Sequence, residues 1–206
     1  YGRFEDFRED HIIINNLANN LEAPYQMFLA QSLVKKNELF IYLFHQENSS
    51  AWVVFYNPIQ FKNKLPRRLD EKLIRKLGRE LARFHKACTN VSNQLPNASK
   101  TVITDIHNLV KSVNRDEIKM CENHKTMVLK HADLFLNNAY KANYTEDFET
   151  IPVFIDWNIG NFSVTPEGKF YSRWDYDWFR MSSRVMDFYF FSRVVSDVGD
   201  RTVFSY

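Results

Sequence analysis

The chain is poor in glycine and in cysteine. Only five of its 206 residues are glycine, so no glycine-rich loop of the kind that cradles phosphate groups can be identified in it. Its two cysteines, Cys88 and Cys121, form no Cys-x-x-Cys pair, which argues against a zinc site. We expect Cys88, which closes an apolar helical face, to be a buried reduced thiol, as in a protein of the reducing cytoplasm.

Long apolar runs and an excess of one charge are also absent. No apolar stretch approaches the roughly 20 residues that span a bilayer, and no segment has the pattern of a signal peptide. The 27 basic residues nearly balance the 25 acidic ones, for a formal net charge of +2. We therefore expect neither a membrane nor a nucleic acid as partner. The sequence carries no signal of the oligomeric state.

What the chain has in abundance is apolar and aromatic side chains. Hydrophobic residues make up 45% of the sequence, and 18 residues are phenylalanine. A chain of 206 residues with this content can fill the core of one large domain or of two small lobes.

The spacing of apolar residues predicts several helices. The most regular pattern is LDEKLIRKLGRELARFHKAC at residues 69–88, where leucine, phenylalanine and cysteine recur at helical intervals. Weaker patterns predict further helices over residues 3–21, 101–114, about 124–142, and from about Ser182 onward.

Aromatic and β-branched residues predict two hairpins and a short strand. Residues 38–45 and 51–56 flank the polar turn QENSS and form the first predicted hairpin. A short strand is predicted over residues 152–156, and a second hairpin joins residues 162–164 to 169–174. A small strand-rich part thus precedes a larger helical part, and the cleft between them is the expected ligand site.

The residues that can carry chemistry concentrate between Ile151 and Asp187. Asp156 ends a predicted strand, and Asn161 follows five residues later on the same loop. The hairpin then returns the chain, so we expect Asp175 to emerge beside Asn161. A carboxylate and an amide oxygen, with phosphate oxygens, suit Mg2+. The remaining carboxylate, Asp156, can orient or deprotonate an acceptor hydroxyl.

This segment resembles the aminoglycoside phosphotransferase family, the small-molecule branch of the protein-kinase-like fold to which choline kinases are also related. Asp156, Asn161, Asp175 and Asp187 match the family's Asp-x4-Asn loop and the two aspartates that follow it. The segment LGRELARFHKA at residues 77–87 is similar to a helix of the family. The resemblance covers roughly residues 35–195.

The resemblance implies a fold and an activity. The fold would be α+β and two-lobed, with a partial N-terminal lobe over residues 1–60 that ends in a hinge. A mostly helical C-terminal lobe with the catalytic-loop hairpin would occupy residues 61–206, and the domain would be truncated at both ends. The activity would be transfer of the γ-phosphate of ATP, with Mg2+, to a hydroxyl of a small molecule.

The resemblance also assigns roles to residues. Asp156 would be catalytic, and Asn161 and Asp175 would bind Mg2+. Asp187 would brace the catalytic loop as structural support. The strand that ends in Phe55, Tyr56 and Asn57 would form the hinge and meet the adenine of the cofactor.

The chain departs from the family pattern at three points. Phe154 stands where the family has histidine, two residues before the aspartate. Neither a glycine-rich loop nor a strand lysine precedes the first predicted helix. A non-catalytic kinase-like binding module is therefore an alternative function. A second alternative is a structural or interaction protein whose aspartates are turn residues.

A second alignment of the same motif competes with the first. His131-Ala-Asp133 is followed by Asn138, which gives the same Asp-to-Asn spacing and supplies a histidine. Asp156 would then be a metal ligand. We favour the first alignment, because residues 128–139 also have the pattern of an amphipathic helix and because no acid lies twelve residues after Asp156.

Overall fold

The computed structural model describes residues 3–47, 49–60, 62–63, 65–66, 69–144 and 149–195, with side chains as far as Ser192. Within these ranges the chain forms five α-helices. They are α1 (Phe4–Asn20), α2 (Glu71–Val91), α3 (Val102–Asn114), α4 (Glu122–Lys141) and α5 (Val185–Val195).

The described strands are short, and all of them pair antiparallel in twos. The pairs are β1 (Val34–Lys35) with β2 (Glu38–Leu39), β3 (Ile41–Gln46) with β4 (Ser49–Val54), β5 (Thr150–Val153) with β8 (Arg180–Ser183), and β6 (Phe162–Val164) with β7 (Phe170–Arg173). Both predicted hairpins, β3–β4 and β6–β7, are confirmed.

The five predicted helices are present, and local signals fix several of their ends. The carboxylate of Asp70 accepts a hydrogen bond from the backbone N–H of Leu73 at 2.7 Å and so caps α2. Thr101 and Thr104 form a capping box at the start of α3. These side chains supply partners for backbone N–H groups that a helix leaves free at its first turn.

The last helix begins later than the sequence predicts. A helix was expected from about Ser182, but Arg180–Ser183 forms β8 and pairs with β5, and α5 begins only at Val185. The backbone N–H of Val185 donates to the hydroxyl of Ser183 at 3.3 Å, which marks the start of the helix. The strand was missed because four residues with two buried serines give no alternating apolar pattern.

The core is built around α2, the helix with the clearest sequence pattern. Leu77, Leu81 and Phe84 are fully buried on one face, which packs against β5. The Phe84 ring lies 5.8 Å from that of Phe154 and 6.1 Å from that of Trp157. The abundant aromatic side chains therefore fill the space directly beneath the segment around Asp156.

Two expectations from composition can be compared with the structure. Cys88 is a buried free thiol, and burial raises its pKa well above the usual value, which makes it unreactive. Over the part of the chain that the structure describes, no helix is long and apolar enough to cross a bilayer.

An extended segment at residues 28–33 joins the first hairpin to the second. On one side, Arg173 donates its backbone N–H to Phe28 and accepts a hydrogen bond from Ala30. On the other side, the backbone N–H of Leu33 donates to Phe55 at 2.7 Å. The segment thus holds the end of the β3–β4 hairpin beside β7. The division into residues 1–60 and 61–206 stays a prediction, since residue 61 lies outside the described residues.

Candidate functional site

The chain makes a tight turn directly after β5, at residues 154–157. The backbone N–H of Asp156 donates to the carbonyl of Phe154 at 2.6 Å, and that of Trp157 donates to Ile155 at 2.9 Å. Ile155 has φ of 58°, a left-handed conformation that is unfavourable for a β-branched residue. Such strain costs on the order of 1–3 kcal/mol and is concentrated at functional sites in proteins.

The Asp156 carboxylate organises the loop that follows. Its Oδ1 accepts a hydrogen bond from the backbone N–H of Asn158 at 3.0 Å, and its Oδ2 accepts one from Nδ2 of Asn161 at 2.9 Å. Because an ionised carboxylate only accepts hydrogen bonds, Asn161 must turn its amide nitrogen toward Asp156. The Oδ1 atom of Asn161 is left to accept from, or to coordinate, another group.

Asp175 lies next to this loop. The backbone N–H of Trp174 donates to the carbonyl of Asn161 at 3.0 Å, which fixes the residue before Asp175 against the loop. Asp175 is exposed and has φ of 65°, again in the left-handed region. Its carboxylate forms no hydrogen bond or ion pair with another described side chain, so both oxygens can bind a ligand.

The Asn161 amide oxygen and the Asp175 carboxylate are ligands of the type that Mg2+ prefers. Among the described residues there is no group of three or more histidine, cysteine, aspartate or glutamate side chains that could hold a metal ion. The protein would therefore supply two ligands, and phosphate oxygens and water would supply the rest. This division is usual for Mg2+ bound with a nucleotide.

Asp187 lies beneath the tight turn and is fully buried. Its Oδ1 accepts hydrogen bonds from the backbone N–H groups of Phe154 and Ile155, at 2.9 and 2.7 Å. Its Oδ2 lies 2.9 Å from Nε2 of His85, which is also fully buried. These contacts join the turn to α2 and α5. The sequence gives no indication that His85 bonds Asp187, since 102 positions separate the two.

Arg173 is a residue that sequence reasoning missed. Its side chain is fully buried at the end of β7, and its Nη2 donates to the backbone carbonyl of Asp156 at 2.8 Å. Burial lowers the pKa of the guanidinium to about 10, while the nearby Asp187, Asp156 and Asp175 act in the opposite direction. Arg173 is therefore charged at neutral pH. The one signal in the sequence was an arginine inside an aromatic strand.

A cavity of about 360 Å³ opens against β7, and Asp156, Asn161 and Asp175 are not among its lining residues. Its lining comes from three segments: Met27, Leu29, Ala30 and Gln31; Asn57, Pro58, Ile59 and Gln60; and Tyr171 and Ser172. The volume lies within the range of small-molecule sites. Ser172 donates its hydroxyl to the carbonyl of Gln60 at 2.8 Å and so fixes the second segment to β7.

The predicted hinge residues differ in their positions. Asn57 lines the cavity, whereas Phe55 and Tyr56 are not among its lining residues. Phe55 stacks on Phe40 with ring centroids 5.7 Å apart. Tyr56 points toward α1, where its hydroxyl lies 2.6 Å from Nδ1 of His11. The lining from this part of the chain instead runs from Asn57 to Gln60, which lie after the end of β4 at Val54.

The second alignment does not have the loop that it requires. Asp133 and Asn138 both lie on α4 and are exposed. A five-residue spacing turns a side chain by roughly 140° around a helix axis, so the two point in different directions. Asp133 instead accepts a hydrogen bond from Asn137, one helical turn away, at 3.0 Å. Asp133 and Asn138 therefore do not form a loop site, contrary to this alternative.

The comparisons with known proteins identify the fold. No model of a protein family matches the chain, and no curated protein matches it in sequence. Among solved structures, the gentamicin complex of the aminoglycoside phosphotransferase APH(2'')-IIa aligns with 87% of this chain at a TM-score of 0.52 and 13% identity. A ternary complex of the same enzyme with streptomycin and ATP aligns with 90% of this chain, at a TM-score of 0.52 and 16% identity.

These alignments cover 57% and 60% of the neighbours' own chains, so this chain spans less than two thirds of their length. At such identities the likeness shows the fold alone. The chain is α+β and has the protein-kinase-like fold of aminoglycoside phosphotransferases, as its sequence predicted.

Proposed function

We propose that this protein is an ATP- and Mg2+-dependent phosphotransferase that transfers the γ-phosphate to a hydroxyl of a small molecule. One observation carries the proposal. The side chain of Asn161 bonds Asp156, while its backbone carbonyl bonds the residue before Asp175. A carboxylate for the acceptor and two oxygen ligands for a metal thus lie within one hydrogen-bonded unit on a kinase-like fold.

The cofactor is proposed to bind with its adenine in the cavity and its metal ion at the two ligands. The backbone N–H of Ile59 has no hydrogen-bond partner among the described residues, and it lies on the lining segment between apolar Pro58 and polar Gln60. An adenine ring needs apolar faces and a backbone edge of this kind. Asn161 and Asp175 would hold Mg2+, which when bound with ATP neutralises charge on the phosphates.

Asp156 is proposed to orient the acceptor hydroxyl and take its proton. Both of its oxygens already accept a hydrogen bond from the loop, which fixes the direction of the carboxylate. Each oxygen keeps a further lone pair and can accept a hydrogen bond from a hydroxyl. A fixed carboxylate in this role contributes on the order of 10²–10⁴ to the rate.

The acceptor is proposed to be a small molecule. The solved neighbours are complexes with gentamicin and with streptomycin, both small molecules. Their low identity to this chain does not indicate which small molecule is the acceptor, because one fold serves many substrates.

A non-catalytic kinase-like binding module is the second candidate. It is favoured by the composition of the cavity, whose lining residues include no lysine or arginine that could hold nucleotide phosphates. Such a module would bind a ligand without transferring phosphate.

Calorimetric titration of Mg·ATP into the protein tests the proposal. We expect binding that requires Mg2+ and that Asp175→Asn weakens strongly, because the variant loses the anionic metal ligand. Asp177→Asn is the matched control, since it removes the same charge from an exposed residue two positions away. Binding that neither Mg2+ nor Asp175→Asn affects would contradict the metal site. Absence of binding would contradict the proposed function, and binding without phosphate transfer to any hydroxyl compound would favour the module.

A further inference from the structure

Arg173 is a charged residue that is buried with few hydrogen-bond partners. Its guanidinium is fully buried but forms a single side-chain hydrogen bond, from Nη2 to the carbonyl of Asp156. Its Nε and Nη1 have no hydrogen-bond partner among the described residues. A buried cation with so few partners is costly for the fold, and an apolar residue of similar volume would often be tolerated as well or better.

The side chain lies against the residues on both sides of Asp156. The guanidinium carbon is 4.7 Å from the ring centre of Phe154 and 4.4 Å from that of Trp157. Both contacts are within the range of cation–π attraction. Because Phe154 stands where histidine was expected, it has no polar group with which to hold the turn. The guanidinium supplies a polar contact at the same place.

The backbone of Arg173 connects this turn to the cavity. Its carbonyl accepts hydrogen bonds from the N–H of Ala30 and from the hydroxyl of Tyr176, at 3.0 and 2.9 Å. Ala30 lines the cavity, and Asp175 lies two residues after Arg173. One residue therefore contacts the cavity wall, the carbonyl of Asp156 and the segment that carries Asp175.

We infer that Arg173 is a positioning residue, which holds the turn of Asp156 in register with Asp175 so that the metal ligands face each other before nucleotide binds. The inference rests on the proposed function of the site. The positive charge of Arg173 balances the nearby carboxylates of Asp156, Asp175 and Asp187, which would otherwise repel one another. Arg173 acts through these groups and needs no contact with the substrate.

The test compares Arg173→Met and Arg173→Lys with the unaltered protein. Methionine keeps most of the apolar volume but removes charge and donor, whereas lysine keeps the charge and one donor. Arg75→Met is the matched control, because Arg75 is an exposed arginine paired with Glu71 on α2. Two properties are measured: the dependence of ATP affinity on Mg2+ concentration, and hydrogen exchange of the amides of Asp156 and Trp157 without ligand.

We expect Arg173→Met to keep the cooperative thermal unfolding of the fold while its 154–157 turn exchanges faster. Its Mg2+-dependent ATP affinity should fall by roughly 10–100-fold, as for residues that orient metal ligands. Arg173→Lys should recover part of both effects, and Arg75→Met should show neither. If Arg173→Met does not fold, the lysine variant alone decides, and full affinity with unchanged exchange in it would overturn the inference.

The failure of this inference differs from the failure of the proposed function. Unaltered protein that binds Mg·ATP, together with an Arg173→Met variant that binds equally well and exchanges equally slowly, would overturn the positioning role alone. Unaltered protein that shows no Mg2+-dependent binding would overturn the proposed function and with it this inference.

Discussion

Two of the segments with Asp-x4-Asn spacing were weighed as the catalytic loop, and these two copies have different structures. Asn161 donates to Asp156 across a tight loop, whereas Asp133 and Asn138 point in different directions from an exposed helix. The buried Asp187 and Arg173 bond the backbone of the loop copy, while the partner of Asp133 among the described side chains is its helical neighbour Asn137. Spacing in sequence therefore indicates a site only where the backbone folds the two side chains together.

The two copies should differ most in how the loss of their aspartate changes the rate of phosphate transfer. Asp156→Asn should lower phosphate transfer by roughly 10²–10⁴-fold, because it removes the carboxylate that accepts the hydroxyl proton. Asp133→Asn makes the same change on α4 and should leave the rate unaltered. Transfer of radiolabelled γ-phosphate from Mg·ATP to a panel of small hydroxyl compounds measures both. Equal rates for the two variants would remove the distinction between the loop and the helix.

The next effect concerns stability. Asp187→Ala leaves the buried N–H groups of Phe154 and Ile155 and the ring of His85 without their acceptor. We expect the free energy of unfolding to fall by about 3–5 kcal/mol. Asp133→Ala should change it by less than about 0.5 kcal/mol, as for most surface positions. Urea unfolding followed by circular dichroism gives both values, and a small loss for Asp187→Ala would mean that the loop does not depend on it.

A smaller effect depends on pH. Burial lowers the pKa of His11, which bonds Tyr56 next to the cavity segment, from 6.5 to about 4. Between these values the unfolded chain binds the proton more tightly, so stability is full above pH 6.5 and falls as pH drops toward 4. The total loss is about 3 kcal/mol.

The variant His11→Asn isolates this effect, because asparagine can place a polar atom near the position of Nδ1 but does not titrate. Unfolding free energies at pH 7 and pH 5 should differ by about 2 kcal/mol more in the unaltered protein than in the variant. Identical pH dependence of the two proteins would show that His11 is not buried in its neutral form.

The smallest effect again contrasts the two copies of the motif. Asn138→Ala should stabilise the protein by about 0.5 kcal/mol, because alanine favours an exposed helix position more than asparagine does. Asn161→Ala should destabilise it by about 1 kcal/mol, because the bond to Asp156 is lost. Thermal unfolding of both variants measures the difference. A change of the same sign in both would contradict the assignment of one copy to a helix and the other to a loop.

The sequence predicted the elements with local signals. The five helices and two hairpins followed from periodicity and turn residues, and the fold followed from the motif around Asp156 and Asn161. The short strand β8 was missed, because its pairing with β5 joins residues about thirty positions apart and leaves no local pattern.

The residues that support the site were harder to predict. The contact of His85 with Asp187, and that of Arg173 with Asp156, depend on how α2 and β7 pack around the turn. A buried histidine or arginine looks like any other polar residue in a single sequence. The cavity lining past Asn57 was also missed, since it is formed where three separate segments meet.

A crystal structure of the protein with Mn2+ and a non-hydrolysable ATP analogue, in which anomalous scattering locates the metal, tests the proposed nucleotide and metal site. We expect one Mn2+ bound by Oδ1 of Asn161 and the carboxylate of Asp175, with the adenine in the cavity beside Ile59. A metal bound away from Asn161 and Asp175, or a nucleotide outside that cavity, would contradict this expectation.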